Sequence, residues 1–128
     1  MTMAQSIAVI NDDRTFLSLM CELLASEGYE PYAIPEASEA FHQLRAAIPD
    51  AIILDIRLGN PTGWQVLELI KLDPNLAHIP VIICSADVRS LVERHDLLRK
   101  HGCRELAVPF TLDELLSMLR EELQSRSH

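Results

Sequence analysis

The stretch AIILDIRLG, residues 51–59, opens with four apolar residues and then sets a carboxylate, Asp55, directly after Leu54. An apolar run without alternation is the mark of a strand buried on both faces of a parallel sheet. A charge at the end of such a strand must be solvated, paired or used, because an unpaired buried carboxylate is costly.

Working outward from Asp55, short apolar runs alternate with amphipathic segments along the whole chain. SIAVI (6–10), YEPYAI (29–34), AIILD (51–55), PVIICS (80–85) and ELAVP (105–109) read as strands. Segments 14–27, 36–47, 62–73, 88–101 and 111–124 carry apolar residues at helical spacing and predict five helices. The punctuation agrees: Gly28 and Gly102 follow the first and fourth helices, Pro74 closes the third, and Thr111 with Glu114 forms a capping box for the fifth. Strict alternation of strand and helix with short connections predicts right-handed crossovers and a parallel sheet covered on both faces.

In an open sheet of this kind, ligands bind beyond the carboxyl ends of the strands. The first strand ends in Asn11, Asp12 and Asp13, the third in Asp55, the fourth in Ser85 followed by Ala86, and the fifth in Val108 before Pro109. Two carboxylates at adjacent strand ends repel, and a hard divalent cation relieves them. Asp12 and Asp55 therefore predict a magnesium site that leaves positions open for water and phosphoryl oxygens, with Asp55 as nucleophile and the Ser85 hydroxyl as a donor. The competing interpretation is local: Asp12 or Asp13 caps the first helix, Asp55 orders a loop, and Ser85 is a polar strand end.

Composition narrows the function. The chain has 128 residues, enough for one domain that buries about two-thirds of its unfolded surface. Eleven Lys and Arg against 19 Asp and Glu give a net charge of −8, which disfavours direct nucleic-acid binding. The three cysteines, Cys21, Cys84 and Cys103, sit in apolar stretches and read as packed thiols of a reducing cytoplasm. Neither a signal peptide nor a membrane-spanning run is expected.

From about Ser6 to about Leu123 the sequence resembles the receiver domain of bacterial two-component response regulators. The resemblance rests on the acidic group after the first strand, on Asp55 with Gly63 in DIRLGNPTG, on HIPVIICSA (78–86) and on VPF (108–110). It implies a flavodoxin-like doubly wound α/β fold, with five parallel strands in the order 2-1-3-4-5 and five helices. It further implies that Asp55 takes a phosphoryl group from a sensor histidine kinase or phosphotransfer protein. Magnesium ligands would be Asp12, Asp55 and the Arg57 backbone carbonyl, and Ser85 with Ala86 would form the phosphate and switch positions. The face of the fourth helix, fifth strand and fifth helix, with Arg99, Glu105 and Met118, would meet a downstream protein target.

Departures from the family pattern are as informative. Asn11 stands where the usual acidic pair begins, with Asp13 as an accessory acid one position later. Val108 replaces the lysine that precedes Pro-Phe, and Glu105 replaces an aromatic switch residue. Counting only Asp12 and Asp55, the pocket charge is −2, the same as three carboxylates and one lysine, so the two losses compensate formally. Weak magnesium binding is expected with one acid missing, and Arg57 is the nearby cation that a phosphoryl oxygen would find. The resulting expectation is one receiver domain over residues 1–128, with a core over 6–123 and a frayed tail over 124–128. It reads as a stand-alone cytoplasmic receiver, not an enzyme and not inserted in a membrane. The alternative is a pseudo-receiver that binds proteins without phosphorylation. An aspartyl phosphatase of the dehalogenase kind is disfavoured by Arg57, where a second aspartate is needed, and four glycines argue against phosphate-cradling loops.

Overall fold

The computed structural model describes residues 4–57, 61–86 and 88–125. In chain order the elements are β1 (Ser6–Ile10), α1 (Arg14–Ser26), β2 (Glu30–Ile34), α2 (Ala37–Ala46), β3 (Ala51–Asp55) and α3 (Gly63–Leu72). They are followed by β4 (Val81–Ser85), α4 (Val88–Glu93), α5 (His95–Lys100), β5 (Cys103–Ala107) and α6 (Leu112–Ser125). All strand pairs are parallel, and the sheet order is β2-β1-β3-β4-β5. The expected topology is observed.

The alternation of side chains along each strand divides the core between two faces. Ala8, Ile10, Ile52, Leu54, Val81 and Ile83 face α2, α3, α4 and α5, which supply Leu44, Val66, Ile70, Leu91 and Leu98. Ile7, Val9, Ile53, Ile82 and Cys84 face α1 and α6, which supply Leu17, Leu24, Leu115 and Leu119. Because β1, β3 and β4 are covered on both faces, their sequences show apolar residues without alternation.

Two expectations require correction. The single helix expected over 88–101 is two, so the described residues contain six helices rather than five. Buried Leu91 and Leu98 hold both pieces on the sheet, and the break falls between them at Arg94, whose φ of −107° and ψ of 7° leave the helical range. There the Arg94 guanidinium lies 4.2 Å from the centroid of the Trp64 ring on α3. The last strand lies two residues earlier than expected, ending at Ala107, because pairing starts immediately after Gly102. Val108 and Pro109 therefore follow the strand, joined by a cis peptide bond. Gln124 and Ser125 continue α6, which Leu119 and Leu123 anchor to the core; residues 126–128 of the tail expected to fray lie outside the described residues.

The caps are largely those expected. Gly28 and Gly102 follow α1 and α5 with φ of 92° and 74°, and the Glu114 N–H donates to Thr111 Oγ1 at 3.1 Å while Glu114 Oε1 accepts from the Thr111 N–H at 3.3 Å.

Candidate functional site

The site forms at the carboxyl edge of the sheet, where β1, β3 and β4 end side by side. Ile10 is in register with Leu54, and Asp55 with Cys84, so Asn11–Asp12, Asp55–Arg57 and Ser85–Ala86 all leave the same edge. Asp55 is half-buried, Asp12 is exposed and Ser85 is 1% exposed.

Local hydrogen bonds set the orientation of these groups. Asp55 Oδ1 accepts from the Arg57 N–H at 2.9 Å, and the Ile56 N–H donates to the Cys84 carbonyl at 3.2 Å, which ties the turn after β3 to β4. On the β1 side, the Asn11 N–H donates to the Ile34 carbonyl and Asn11 Oδ1 accepts from the Asp13 N–H at 2.9 Å. The Val108 N–H donates to the Ser85 carbonyl at 2.9 Å, so Val108 stands at the rim of this edge with its side chain 42% exposed.

Burial pushes the Asp55 carboxyl above the ordinary carboxylate range, and the Asp12 charge pushes it further; the Arg57 N–H and the Arg57 charge act in the opposite sense. Next to Ser85 in sequence, the Cys84 thiol is pushed up to about 12 by its burial and by the Asp55 charge. Asp12, Asp55 and Arg57 are thus brought together electrically as well as by register.

The sign of the Asp55 shift has a measurable consequence. A carboxyl raised in the folded state contributes stability that is present below its unfolded pKa and lost as pH rises through its folded pKa. With chelator present, Asp55→Asn keeps an Oδ1 acceptor for Arg57 and removes the charge. Its melting temperature at neutral pH is expected to exceed that of wild type by a few degrees, and the gain should vanish in acid below the ordinary carboxylate range. Thermal melts at both pH values test this; a gain that persists in acid would assign it to packing rather than charge.

The donor set suits one cation. Carboxylates of Asp12 and Asp55 with the backbone carbonyl of Arg57 are hard oxygens, and magnesium takes one or two carboxylates while keeping several waters. The half-buried Asp55 carboxylate with the Asp12 charge beside it is the feature a divalent cation relieves. Among the described residues no group of three or more His, Cys, Asp or Glu is placed to hold a metal, in keeping with an amide at Asn11.

Other expected residues lie elsewhere. Asp13 is the N-cap of α1, its Oδ1 accepting from the Phe16 N–H at 3.1 Å. Glu105 Oε1 lies 2.7 Å from His95 Nδ1 on α5, and with Arg99 and Met118 it lines a cavity of about 460 Å³. Ala86 is exposed.

Sequence reasoning placed the third helix over 62–73 but missed the capping box that opens α3. Thr62 Oγ1 accepts from the Gln65 N–H at 3.2 Å and Gln65 Oε1 accepts from the Thr62 N–H at 2.8 Å, a capping box written in the spacing Thr-x-x-Gln. A Cβ on Gly63 would meet the Ile56 Cα at 2.5 Å and the Asp55 and Ile56 carbonyl oxygens at 2.7 Å, so the first turn of α3 rests directly on the backbone that carries Asp55.

Comparison with known proteins agrees with this fold. Residues 7–120 match the family model described as response regulator receiver domain. The polar-differentiation response regulator DivK of Brucella ovis is 30% identical over 122 residues, covering 91% of this chain and 98% of the relative. A response regulator structure from Chloroflexus aurantiacus superposes with a TM-score of 0.83 at 22% identity, covering 94% of this chain and 98% of the other. The receiver domain of a sensor histidine kinase from Pseudomonas aeruginosa, solved with magnesium coordinated in its active-site cleft, gives a TM-score of 0.81 at 24% identity, again over 94% and 98%.

Proposed function

The chain belongs to the response regulator receiver domain family, and from that premise we propose that it accepts a phosphoryl group on Asp55 from a sensor histidine kinase or phosphotransfer protein. It then signals in the cytoplasm by contact with a downstream protein target, as a signalling protein and not an enzyme. Among the described residues no helix is long and apolar enough to cross a membrane. The observation that carries the reading is the half-buried Asp55 at the end of β3, held through Oδ1 by the Arg57 N–H and bordered by Asp12.

In this reading Oδ2 of Asp55 is the attacking oxygen, because Oδ1 is engaged by Arg57. The bond from Oδ2 to phosphorus forms as the phosphohistidine N–P bond breaks, and the leaving imidazole takes up a proton. Asp12, Asp55 and the Arg57 carbonyl would hold magnesium, which would neutralise charge on the transferring group. Arg57 contributes a cation whose charge is felt at Asp55, in the role left open by Val108. The Ser85 hydroxyl, at the end of the neighbouring strand, donates to a phosphoryl oxygen. Cavity-lining Arg99, Glu105 and Met118 form part of the surface offered to the downstream partner.

A second reading, the pseudo-receiver, draws on two observations. Position 108 presents an isopropyl group at the rim, and Glu105 is held by His95 in place of an aromatic switch. Intact-protein mass spectrometry after incubation with magnesium and acetyl phosphate separates the two. Wild type is expected to gain the mass of one phosphoryl group, and Asp55→Asn none. An unmodified wild-type protein would remove the phosphoacceptor role and leave the binding module.

A further inference from the structure

Three contacts form one continuous path from the turn after β3 to the β5 face. At the first, the start of α3 rests on the backbone that carries Asp55: a Cβ on Gly63 would stand 2.5 Å from the Ile56 Cα and 2.7 Å from the Asp55 and Ile56 carbonyl oxygens. Backbone against backbone has no rotamer with which to absorb a shift, so the first turn of α3 follows the turn after β3. Trp64, the next residue, carries the Arg94 guanidinium 4.2 Å from its ring centroid. Arg94 in turn directly precedes His95, whose Nδ1 lies 2.7 Å from Glu105 Oε1 on β5.

The middle of this path is the break between α4 and α5. Arg94 holds it with φ of −107° and ψ of 7°, and its side chain makes no capping hydrogen bond to α5. Local sequence favours the other arrangement: residues 88–101 contain neither Gly nor Pro and carry apolar residues at helical spacing throughout, the pattern of one continuous helix. Each of the two pieces has six residues, too few to be stable without tertiary contacts. A broken and a continuous form are therefore two arrangements of the same segment, and the contact found at the break is the one with Trp64.

We propose that the Trp64–Arg94 stack couples the state of Asp55 to the His95–Glu105 pair by deciding whether helix runs through Arg94. The proposal rests on the reading of Asp55 as phosphoacceptor and names how that event reaches the face of Arg99, Glu105 and Met118, where Glu105 stands in place of an aromatic switch residue. Phosphorylation moves the turn after β3, α3 carries Trp64 with it, and Arg94 leaves the ring. Helix then continues through Arg94 and draws His95 from Glu105. The rival route is the sheet, in which Asp55 pairs with Cys84 and Ile83 with Glu105. A hydrogen-bonded ladder with both faces packed has no second arrangement to offer, whereas coupling needs an element with two.

Amide and Cα chemical shifts, recorded before and after incubation with magnesium and acetyl phosphate, test the coupling, with intact mass reporting the adduct. In wild type the Arg94 Cα is expected to move toward helical values and the His95 and Glu105 amides to be displaced. Arg94→Gln and Trp64→Leu should take up the adduct as wild type does, while the His95 and Glu105 displacements fall below about half, the loss expected if the stack is the main route. Arg94→Lys, which keeps a cation for the ring, should restore most of the displacement. Undiminished displacement in both Arg94→Gln and Trp64→Leu would overturn the proposal and give the coupling to the sheet. An Arg94 Cα that stays outside the helical range in a fully phosphorylated wild type would overturn it too. A wild type without adduct would remove the phosphoacceptor reading instead. Asp55→Asn then supplies the perturbation: displacement of His95 and Glu105 that Arg94→Gln suppresses would support the coupling, and none would overturn it.

Discussion

Gly63→Ala is expected to lower stability by about 3 kcal/mol, at the upper end of the cost of overpacking a filled interior. Helix propensity alone predicts the opposite sign, since alanine in a helix is favoured over glycine by about 1 kcal/mol. Contact geometry decides between them. The added methyl would lie 2.5 Å from the Ile56 Cα and 2.7 Å from two carbonyl oxygens, all backbone atoms that have no rotamer by which to escape. Relief requires α3 to lift or the turn after β3 to shift, and that turn carries the Arg57 N–H that holds Asp55. Phosphoryl acceptance should therefore fall together with stability. Urea denaturation with an unchanged m-value measures the first effect and adduct formation the second. At Gly28, where nothing lies within 4 Å of an added Cβ but φ is 92°, alanine should cost only about 1 kcal/mol, the penalty of left-handed backbone. A stabilised Gly63→Ala protein would mean that the close approach of α3 to β3 is not rigid.

The topology was legible because it is written in local terms. The three central strands are short apolar runs bounded by turn residues and each helix carries its own apolar stripe, so parallel pairing and handedness follow from connection rules, while the strand order came with the family resemblance. The places where sequence reasoning failed are those where a tertiary contact overrides a local signal. Nothing in the spacing of 88–101 announces a break, because the break accompanies an Arg94 guanidinium lying on Trp64, a residue thirty positions away. Val108 looks like strand and Pro109 excludes it, but only the pairing of Cys103–Ala107 with Val81–Ser85 fixes the register.

The candidate site was legible in part for a related reason. Asp12, Asp55 and Ser85 could be read as neighbours because all three end strands, and strand ends converge in this architecture. Asp13 could not be assigned, since a carboxylate just before a helix serves equally as ligand or cap; in the fold its Oδ1 accepts from the Phe16 N–H. The reason for Gly63 was hidden as well: the motif showed a glycine, and only the backbone of Ile56 beside it shows why. By contrast the Thr62 and Gln65 box was readable by its spacing and was overlooked.

The paired departures at Asn11 and Val108 lead to the last expected result, a coupling between two positions at opposite sides of the carboxyl edge. Asn11 Oδ1 accepts from the Asp13 N–H, and an aspartate keeps that acceptor, so Asn11→Asp changes charge with little change of shape. A third carboxylate beside a pair whose repulsion already raises Asp55 should lower metal-free stability and strengthen magnesium binding, by about tenfold if ligand charge governs affinity here. Val108→Lys should act in the opposite sense. Its site is 42% exposed, so the longer side chain displaces no core, and its backbone is tied to Ser85 at the end of the strand beside β3. An ammonium reaching from there toward Asp55 relieves the metal-free repulsion, competes with magnesium and supplies the phosphoryl oxygen with a donor. In the double variant the charge returns to the −2 of the present pocket. Independent sites add within about 0.5 kcal/mol, so a metal-free stability coupling larger than that is expected across wild type, both single variants and the double. Additive stabilities would instead separate the two substitutions, and Val108 would then stand as an unlinked loss of a phosphate contact, which favours the pseudo-receiver.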